Sequence, residues 1–395
     1  MNPWRGVLAL PRQAWLVCGC TLVNRMGTMA YGFLALYLVQ VRHWTDGAAG
    51  DALLVCGAGA LVAAPVAGPL ADRVGHGAVL RWSLWGSGAM LMVLPLVGGR
   101  LPVLACVFLW HLLLQSFWPS SMALLTGLVE PDQRRAVFAL HRTVSNLGLA
   151  AGPALGGVLA MVDFRWVFWT DGLSTLLSGL MLSLLLRSGA VPDRSGGGEA
   201  AEGGRRAWRD GRLARLLLAF LPALMVFWQI SGPLPLRVVR DLGFTSRFFG
   251  LIFTVNTLII VAVEVPLNLA MAHWRHGRAF ALGALLIAAG FGGTGLARTH
   301  GAILALVAVW TFGEMILFPA TADAVAALAP AHRRGEYMGL YSLTFALAIA
   351  LGPWLGVRAY AQVGAGAVWT GCLLAGCASA AALWPFRLDR DRDGR

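Results

Sequence analysis

Apolar stretches long enough to cross a lipid bilayer as helices recur along the whole of this 395-residue chain. A hydrocarbon layer roughly 30 Å thick calls for helices of about 20 residues, since backbone in lipid must satisfy its own hydrogen bonds. Such runs have no place in an ordinary soluble domain. The composition agrees, with 58% of residues hydrophobic and 13% charged, and the chain reads as a membrane protein. Twelve spans are expected, over 13–39, 50–70, 77–97, 101–128, 136–160 and 166–187, then 216–236, 248–271, 278–297, 301–328, 335–358 and 364–386. The first is preceded by about a dozen residues and followed by more runs, so it reads as a span and not as a cleaved signal.

The spans fall into two related sets. Gly148-Leu149-Ala150-Ala151-Gly152-Pro153-Ala154-Leu155-Gly156-Gly157 has a partner 200 positions later in Gly352-Pro353-Trp354-Leu355-Gly356. Upstream of the first copy stand Trp118-Pro119, Pro131, Arg134-Arg135 and Phe138-Ala139-Leu140. Upstream of the second stand Phe318-Pro319, Pro330, Arg333-Arg334 and Met338-Gly339-Leu340. Matching spacing over roughly 40 residues is the mark of a duplication. The expected organisation is an N-terminal six-helix bundle over 1–187, a linker over 188–215 rich in Gly and Arg, and a C-terminal six-helix bundle over 216–395. The stretch from Arg205 to Arg215 has the composition of a short basic helix on a membrane surface.

Net charge is +12, which on a polytopic chain is first explained by topology and not by nucleic acid. All 31 basic residues are arginine. Alternating the loops between two sides places 21 of them with both termini and 8 opposite, leaving Arg25 and Arg142 within spans. Both termini are therefore expected in the cytoplasm. Cys18, Cys20, Cys56, Cys106, Cys372 and Cys377 all fall in apolar runs with no histidine or carboxylate at ligand spacing, so they read as small core residues and neither disulfides nor a metal site are expected.

Six plus six spans around a central loop resemble the major facilitator superfamily of transporters. Gly68-Pro69-Leu70-Ala71-Asp72-Arg73-Val74-Gly75, with Arg81 beyond it, is similar to that family's loop between helices two and three. Gly148 to Gly157 is similar to its fifth-helix pattern associated with antiporters. The sequence departs from the family at His76-Gly77, where two basic residues are usual, and in the fourth span, where His111 is the polar residue nearest the family's arginine. The resemblance implies an all-α fold of two pseudo-symmetric six-helix bundles, and implies that the loop from Gly68 to Gly75 latches one conformational state. From the residues alone, the glycines permit a tight turn and Asp72 can cap a helix N-terminus. Gly148, Gly152 and Gly156 share one helix face beside Pro153, which favours close helix approach with a kink. The second copy at Gly352, Pro353 and Gly356 points to an interface at which the halves rock.

Ionisable residues inside spans are the best pointers to coupling and substrate, because each is costly unless it faces a cavity or a partner. In the first span Asn24, Thr28 and Tyr31 share a face with Arg25 beside them, a polar stripe expected to line the central cavity. This span also looks like the first helix of proton-coupled oligopeptide transporters, although Thr21 and Asn24 stand where that family carries glutamates. Glu314 sits near the middle of the tenth span, with Trp310 and Phe318 at i−4 and i+4. An acid between aromatics can hold an amine or cation, and the peptide-transporter resemblance implies that it meets the substrate amine. Glu264 with Asn268, Asp171 near the outer end of the sixth span, and His111 are further candidates for proton coupling, each with a structural reading beside it. His141 and Arg142 read as domain packing.

No Walker motif, nucleotide-binding domain or metal-ligand cluster is present in the sequence, so ATP is not the expected energy source and no cofactor is called for. The expectation is a proton-coupled secondary transporter of a cytoplasmic membrane, acting as a monomer on amphipathic or cationic small molecules, drugs or peptides. Its sixteen Trp and eighteen Phe suit a loosely specific aromatic cavity between the halves. Proton-coupled import of peptides or other metabolites competes with export. A membrane enzyme or sensor would need a nucleophile constellation or an appended soluble domain, neither of which the sequence carries.

Overall fold

A computed structural model describes residue 7 and residues 9–130, 133–187, 207–271, 273–330 and 333–387. Among the described residues the chain is helical, and no strand forms. In order run α1 (Arg12–Val41), α2 (Asp46–Val74), α3 (His76–Val93), α4 (Arg100–Gly127), α5 (Arg134–Val162) and α6 (Phe164–Arg187). Then come α7 (Gly211–Ser231), α8 (Ser246–Ala270), α9 (His276–Gly293), α10 (His300–Leu328), α11 (Arg334–Gln362) and α12 (Ala365–Leu383). Ten of these are long and apolar enough to cross a membrane, which makes the chain a multi-pass membrane protein. The other two, α3 and α9, lie where the third and ninth spans are expected and are 18 residues each.

Three of the long helices are interrupted, α4 only by a turn at Ser116 between Arg100–Gln115 and Phe117–Gly127. In α1 the segment Arg12–Gly27 stops, Thr28 adopts ψ 89°, and the helix restarts as Ala30–Leu36 before a wide turn at Tyr37–Val41. In α7 the segment Gly211–Phe227 tightens into a 3-10 turn at Trp228–Ser231, followed by Pro233–Pro235 and a wide turn at Leu236–Asp241. Prolines inside α5 and α11, Pro153 and Pro353, each remove one helical hydrogen bond.

The chain divides into two compact units, and the division does not follow the sequence halves. One unit comprises Met1–Leu34, Val55–Glu199 and Thr245–Thr257; the other comprises Ala35–Leu54, Ala200–Phe244 and Leu258–Arg395. The first is packed around Val17, Leu80, Leu84, Phe117, Leu125, Val137, Leu140 and Leu182. The second is built on aromatic contacts. Phe220 lies against Phe318, Tyr341 and Phe345, while Trp310 stacks on Phe291 at 4.4 Å.

Several expectations are adjusted by these elements. The segment from Gly68 to Val74 is the end of α2 and not a loop, and the turn to α3 is made at Gly75, whose φ of 93° favours glycine. The end of the expected linker, Gly211–Arg215, is the first turn of α7, because the Asp210 side chain caps that helix by accepting the N–H groups of Arg212 and Leu213. Before it, Ala207–Arg209 forms a single 3-10 turn. Residues 188–206, Pro131 and the side chains of Gly68 and Asp72 lie outside the described residues. Cys377 is exposed on α12, whereas the other five cysteines are buried.

Candidate functional site

The interruption of α1 leaves backbone N–H groups without helical partners, and an acid on α6 accepts them. Asp171 Oδ2 accepts the N–H groups of Met29 at 3.1 Å and Ala30 at 3.0 Å. The carboxylate is buried, 5% exposed, and among the described residues it closes no ion pair. Asn24 faces α6 as well, donating to Thr175 Oγ1 at 3.1 Å, and Thr28 donates back to the Asn24 carbonyl. The expected polar stripe on α1 is thus split. Asn24 is buried against α6, and Tyr31 packs on His111 with ring centroids 4.8 Å apart.

Arg25 occupies an aromatic seat. Its guanidinium carbon lies 5.4 Å from the Phe117 ring centroid and 5.5 Å from that of Trp118, a cation–π arrangement that partly replaces lost hydration. Its Nε is buried with no hydrogen-bond partner among the described residues. Behind Trp118 stands His141, edge-on at 4.8 Å and hydrogen-bonded to Ser121 at 3.1 Å. His141 is fully buried, so α5 places an imidazole behind the aromatic seat of Arg25, at a position that spacing alone assigned to packing. Arg142 is exposed. His111 is buried, and neither ring nitrogen has a hydrogen-bond partner among the described residues.

In the second unit the tenth-span candidates are placed differently from one another. Glu314 is half-buried. Trp310 is fully buried against Phe291, while Phe318 is half-buried among Phe220, Phe227 and Phe345. Glu264 is half-buried, and Asn268 donates to its backbone carbonyl at 2.8 Å and not to its carboxylate. Arg73 is exposed and Arg81 half-buried on either side of Gly75.

The two glycine–proline motifs perform the same packing task twice. A β-carbon on Gly148 would lie 2.5 Å from Arg25 Cβ, and one on Gly152 would lie 2.9 Å from the Thr28 carbonyl oxygen. One on Gly156 would lie 2.9 Å from Met29. The face of α5 without side chains is therefore seated on the break of α1. In the second unit, a β-carbon on Gly352 would lie 2.8 Å from the Met225 carbonyl oxygen, and one on Gly356 would overlap the Gln229 carboxamide. Gln229 Nε2 donates to Met225 O and Gly352 O at 2.9 and 2.7 Å, so α11 is seated on the break of α7. Each motif also receives the start of another helix. Gly157 and Pro153 abut Ser246 and Gly250 of α8, and Trp354 and Val357 abut Gly50 of α2.

A polar cluster that the sequence did not single out lies at the start of α2 in the second unit. Asp46 accepts two contacts from Arg240 Nη1 at 2.7 and 2.8 Å, and Arg240 Nε reaches Asp241 at 3.0 Å. Tyr360 donates to Asp241, with Arg240 over its ring. One turn along α2, Asp51 accepts from Arg358 at 2.9 Å and Trp354 at 3.2 Å.

The chain that carries these two broken helices matches a family model described as Major Facilitator Superfamily over residues 17–353 and again over 216–395. The chain belongs to the major facilitator superfamily. Among its relatives is a protein of Planococcus maritimus named Na(+), Li(+), K(+)/H(+) antiporter, 24% identical over 93% of each chain. Multidrug resistance protein MdtH of Salmonella paratyphi B is 26% identical over 60% of this chain and 58% of its own. A crystal structure of a POT family transporter in complex with 5-aminolevulinic acid has the same fold, with a TM-score of 0.75 at 16% identity, covering 96% of this chain and 98% of that one.

Within this superfamily member, the offset of 200 that pairs the glycine motifs also picks out the charges. It pairs Trp169-Thr170-Asp171 with Trp369-Thr370-Gly371, Arg25 with Met225, and Glu314 with Leu114. Each of these charged groups stands in one half alone. A scaffold needs the same residues in both copies, whereas an unpaired charge calls for a separate reason.

Proposed function

We propose that this major facilitator is a proton-coupled secondary transporter that works by alternating access and exports amphipathic or cationic small molecules, drugs or peptides. It resides in the cytoplasmic membrane with both termini inside. The observation that carries the reading is the matched seating of Gly148, Gly152 and Gly156 on the break of α1 and of Gly352 and Gly356 on the break of α7. Surfaces without side chains let an interrupted helix shift against its neighbour at small steric cost, as two-state packing demands. Gly68, Asp72, Arg73, Gly75 and Arg81 form the second element of this gating, at the α2–α3 turn. For energy, the reading rests on acids within the helices, Asp171, Glu264 and Glu314, together with His111, since an intramembrane acid is retained where it takes up and releases protons. Trp310, Glu314 and Phe318 are assigned to the substrate in the second unit, and Asn24, Arg25, Thr28 and Tyr31 in the first. The antiporter and multidrug names of its relatives support export.

One observation favours a second reading. Arg25 presents a guanidinium over two aromatic rings without a carboxylate partner within ion-pair distance among the described residues, which suits the carboxylate of a peptide or metabolite brought in with protons. Proteoliposomes with an imposed proton gradient decide between them. Movement of a lipophilic cation against the proton flux is expected; accumulation of a zwitterion with the flux would establish import, and the absence of any gradient-driven flux would overturn proton coupling.

A further inference from the structure

We propose that Asp171 is the proton-binding site of this transporter, and that its protonation state sets whether α1 is broken at Thr28 or continuous. The inference rests on the proton-coupled reading and deepens it. An N–H buried without an acceptor is costly, and the interruption of α1 creates two such groups together, on Met29 and Ala30. One oxygen of Asp171 accepts both. A charged acceptor at a helix start is favoured twice, by charge-assisted hydrogen bonds and by the dipole of the segment that begins there. Ionised Asp171 therefore stabilises the broken form.

When a proton adds to a carboxylate oxygen the group passes from negative to neutral, and nothing else is consumed. The hydrogen bonds from Met29 and Ala30 lose their charge assistance, so the break loses its compensation. The alternative acceptors are the carbonyls of the preceding turn of α1, which become available if Thr28 returns to helical geometry. The closest packing at the break is made through glycines on two sides. Gly152 faces the Thr28 carbonyl from α5, and Gly27 meets the α6 backbone at Asp171, where a β-carbon would lie 3.3 Å from the Asp171 α-carbon.

The electrostatic surroundings make Asp171 the sensitive group. On α1 the charge that acts on it is that of Arg25, which is held on the Phe117 and Trp118 rings and closes no ion pair with it. The α3 residues that meet the adjacent Gly172, namely Gly88, Leu91 and Met92, carry no charge. On α5, Gly148, Gly152 and Gly156 pack on α1 at the break and bring no charge, while Arg142 is exposed elsewhere on the helix. On α6 the neighbouring polar groups are the hydroxyls of Ser174 and Thr175. The second unit supplies the internal contrast. Its break carries a neutral carboxamide, Gln229, which donates to the Met225 and Gly352 carbonyls, and the position matching Asp171 is Gly371. Protons thus act on one broken helix, and the other is a fixed counterpart.

Hydrogen–deuterium exchange of the full chain in lipid nanodiscs, read on peptides spanning residues 27–34 and corrected for intrinsic rates, tests this without any substrate. Between about pH 8 and about pH 5, exchange at Met29 and Ala30 is expected to change by roughly tenfold in the wild type as one hydrogen-bonding arrangement replaces the other. In Asp171→Asn that pH dependence is expected to vanish, while peptides around Gln229 respond in neither protein. A wild-type profile flat across this range, or an unaltered profile in Asp171→Asn, overturns the assignment. The wild-type series requires no variant to fold. Gradient-driven transport with a flat exchange profile would sink the switch alone; a pH-dependent profile without gradient-driven transport would leave Asp171 as a proton site and sink the coupled-transport reading.

Discussion

Gly148 of α5 approaches Arg25 of α1 so closely that a β-carbon added to it would lie 2.9 Å from the Arg25 carbonyl carbon and 2.9 Å from the Met26 nitrogen. Both are backbone atoms and cannot rotate away. Gly148→Ala is expected to destabilise the protein by about 1–3 kcal/mol, the usual cost of overpacking a tight contact, and Gly152→Ala, facing the Thr28 carbonyl, should behave alike. Gly19→Ala, on the same α1 with nothing within 4 Å, should be neutral or stabilising by up to about 1 kcal/mol through helix propensity. Thermal midpoints of the three variants in one detergent check the ordering.

The spans and the duplication were legible because they rest on composition and spacing, which survive any arrangement of the helices. Turns were less so. A segment containing Gly68, Pro69 and Gly75 reads as a loop, yet it is helical to Val74 and only Gly75 turns. The partners of buried polar groups were not legible at all. Nothing local connects Asp171 with Met29, or His141 with Trp118, since those contacts follow from how α1, α4, α5 and α6 pack. Comparison of the halves would have helped, because Asp171 and Gly371 sit at equivalent places after the same Trp-Thr pair.

Asp210 gives a pH signature outside the membrane-spanning helices. Partial burial pushes its carboxyl upward, but the Tyr337 hydroxyl at 2.7 Å and the N–H groups of Arg212 and Leu213 outweigh this and hold it below the ordinary aspartate range. A carboxyl depressed on folding contributes stability that is complete above its unfolded pKa, about 3.9, and is lost as pH falls through the folded value. Asp210→Ala should therefore cost about 0.5–2 kcal/mol at neutral pH as a lost helix cap, with the gap to wild type closing in acid. A gap that stays constant down to the acid limit would refute the assignment.

Arg240 and Asp46 form a partly exposed pair, with 33% and 19% of their side chains accessible. Solvent screening limits such pairs, so a double-mutant cycle with Arg240→Ala and Asp46→Ala should return a coupling of about 0.5–1 kcal/mol that shrinks in high salt. Asp51 with Arg358 is the comparison pair, 26% and 43% accessible. A coupling well above this range, or one indifferent to salt, would mean the cluster is shielded in the membrane.

Arg25 should tolerate Lys poorly if its planar group is held by stacking on Phe117 and Trp118. An ammonium keeps the charge but not the flat face or the forked donors. Arg25→Lys is expected to weaken binding of anionic or zwitterionic substrates by about tenfold and Arg25→Ala by more, with the fold intact by circular dichroism. Equal binding of every such substrate by wild type and Arg25→Ala would remove Arg25 from the substrate site.

Glu314 tests whether the proton and the substrate meet separate residues. Its place on α10, half-buried and one turn from the aromatic cluster at Phe318, fits contact with a cationic group. Glu314→Gln keeps the shape and removes the charge, so gradient-driven transport should fall to background while the thermal midpoint moves little. If Asp171 carries the proton, Glu314→Gln should leave the pH-dependent exchange near Met29 and Ala30 unchanged and lower affinity for cationic substrates by roughly tenfold, the usual weight of one charged contact. Loss of that exchange signature in Glu314→Gln would show the two acids to be coupled, and unchanged transport with unchanged pH dependence would remove Glu314 from the site.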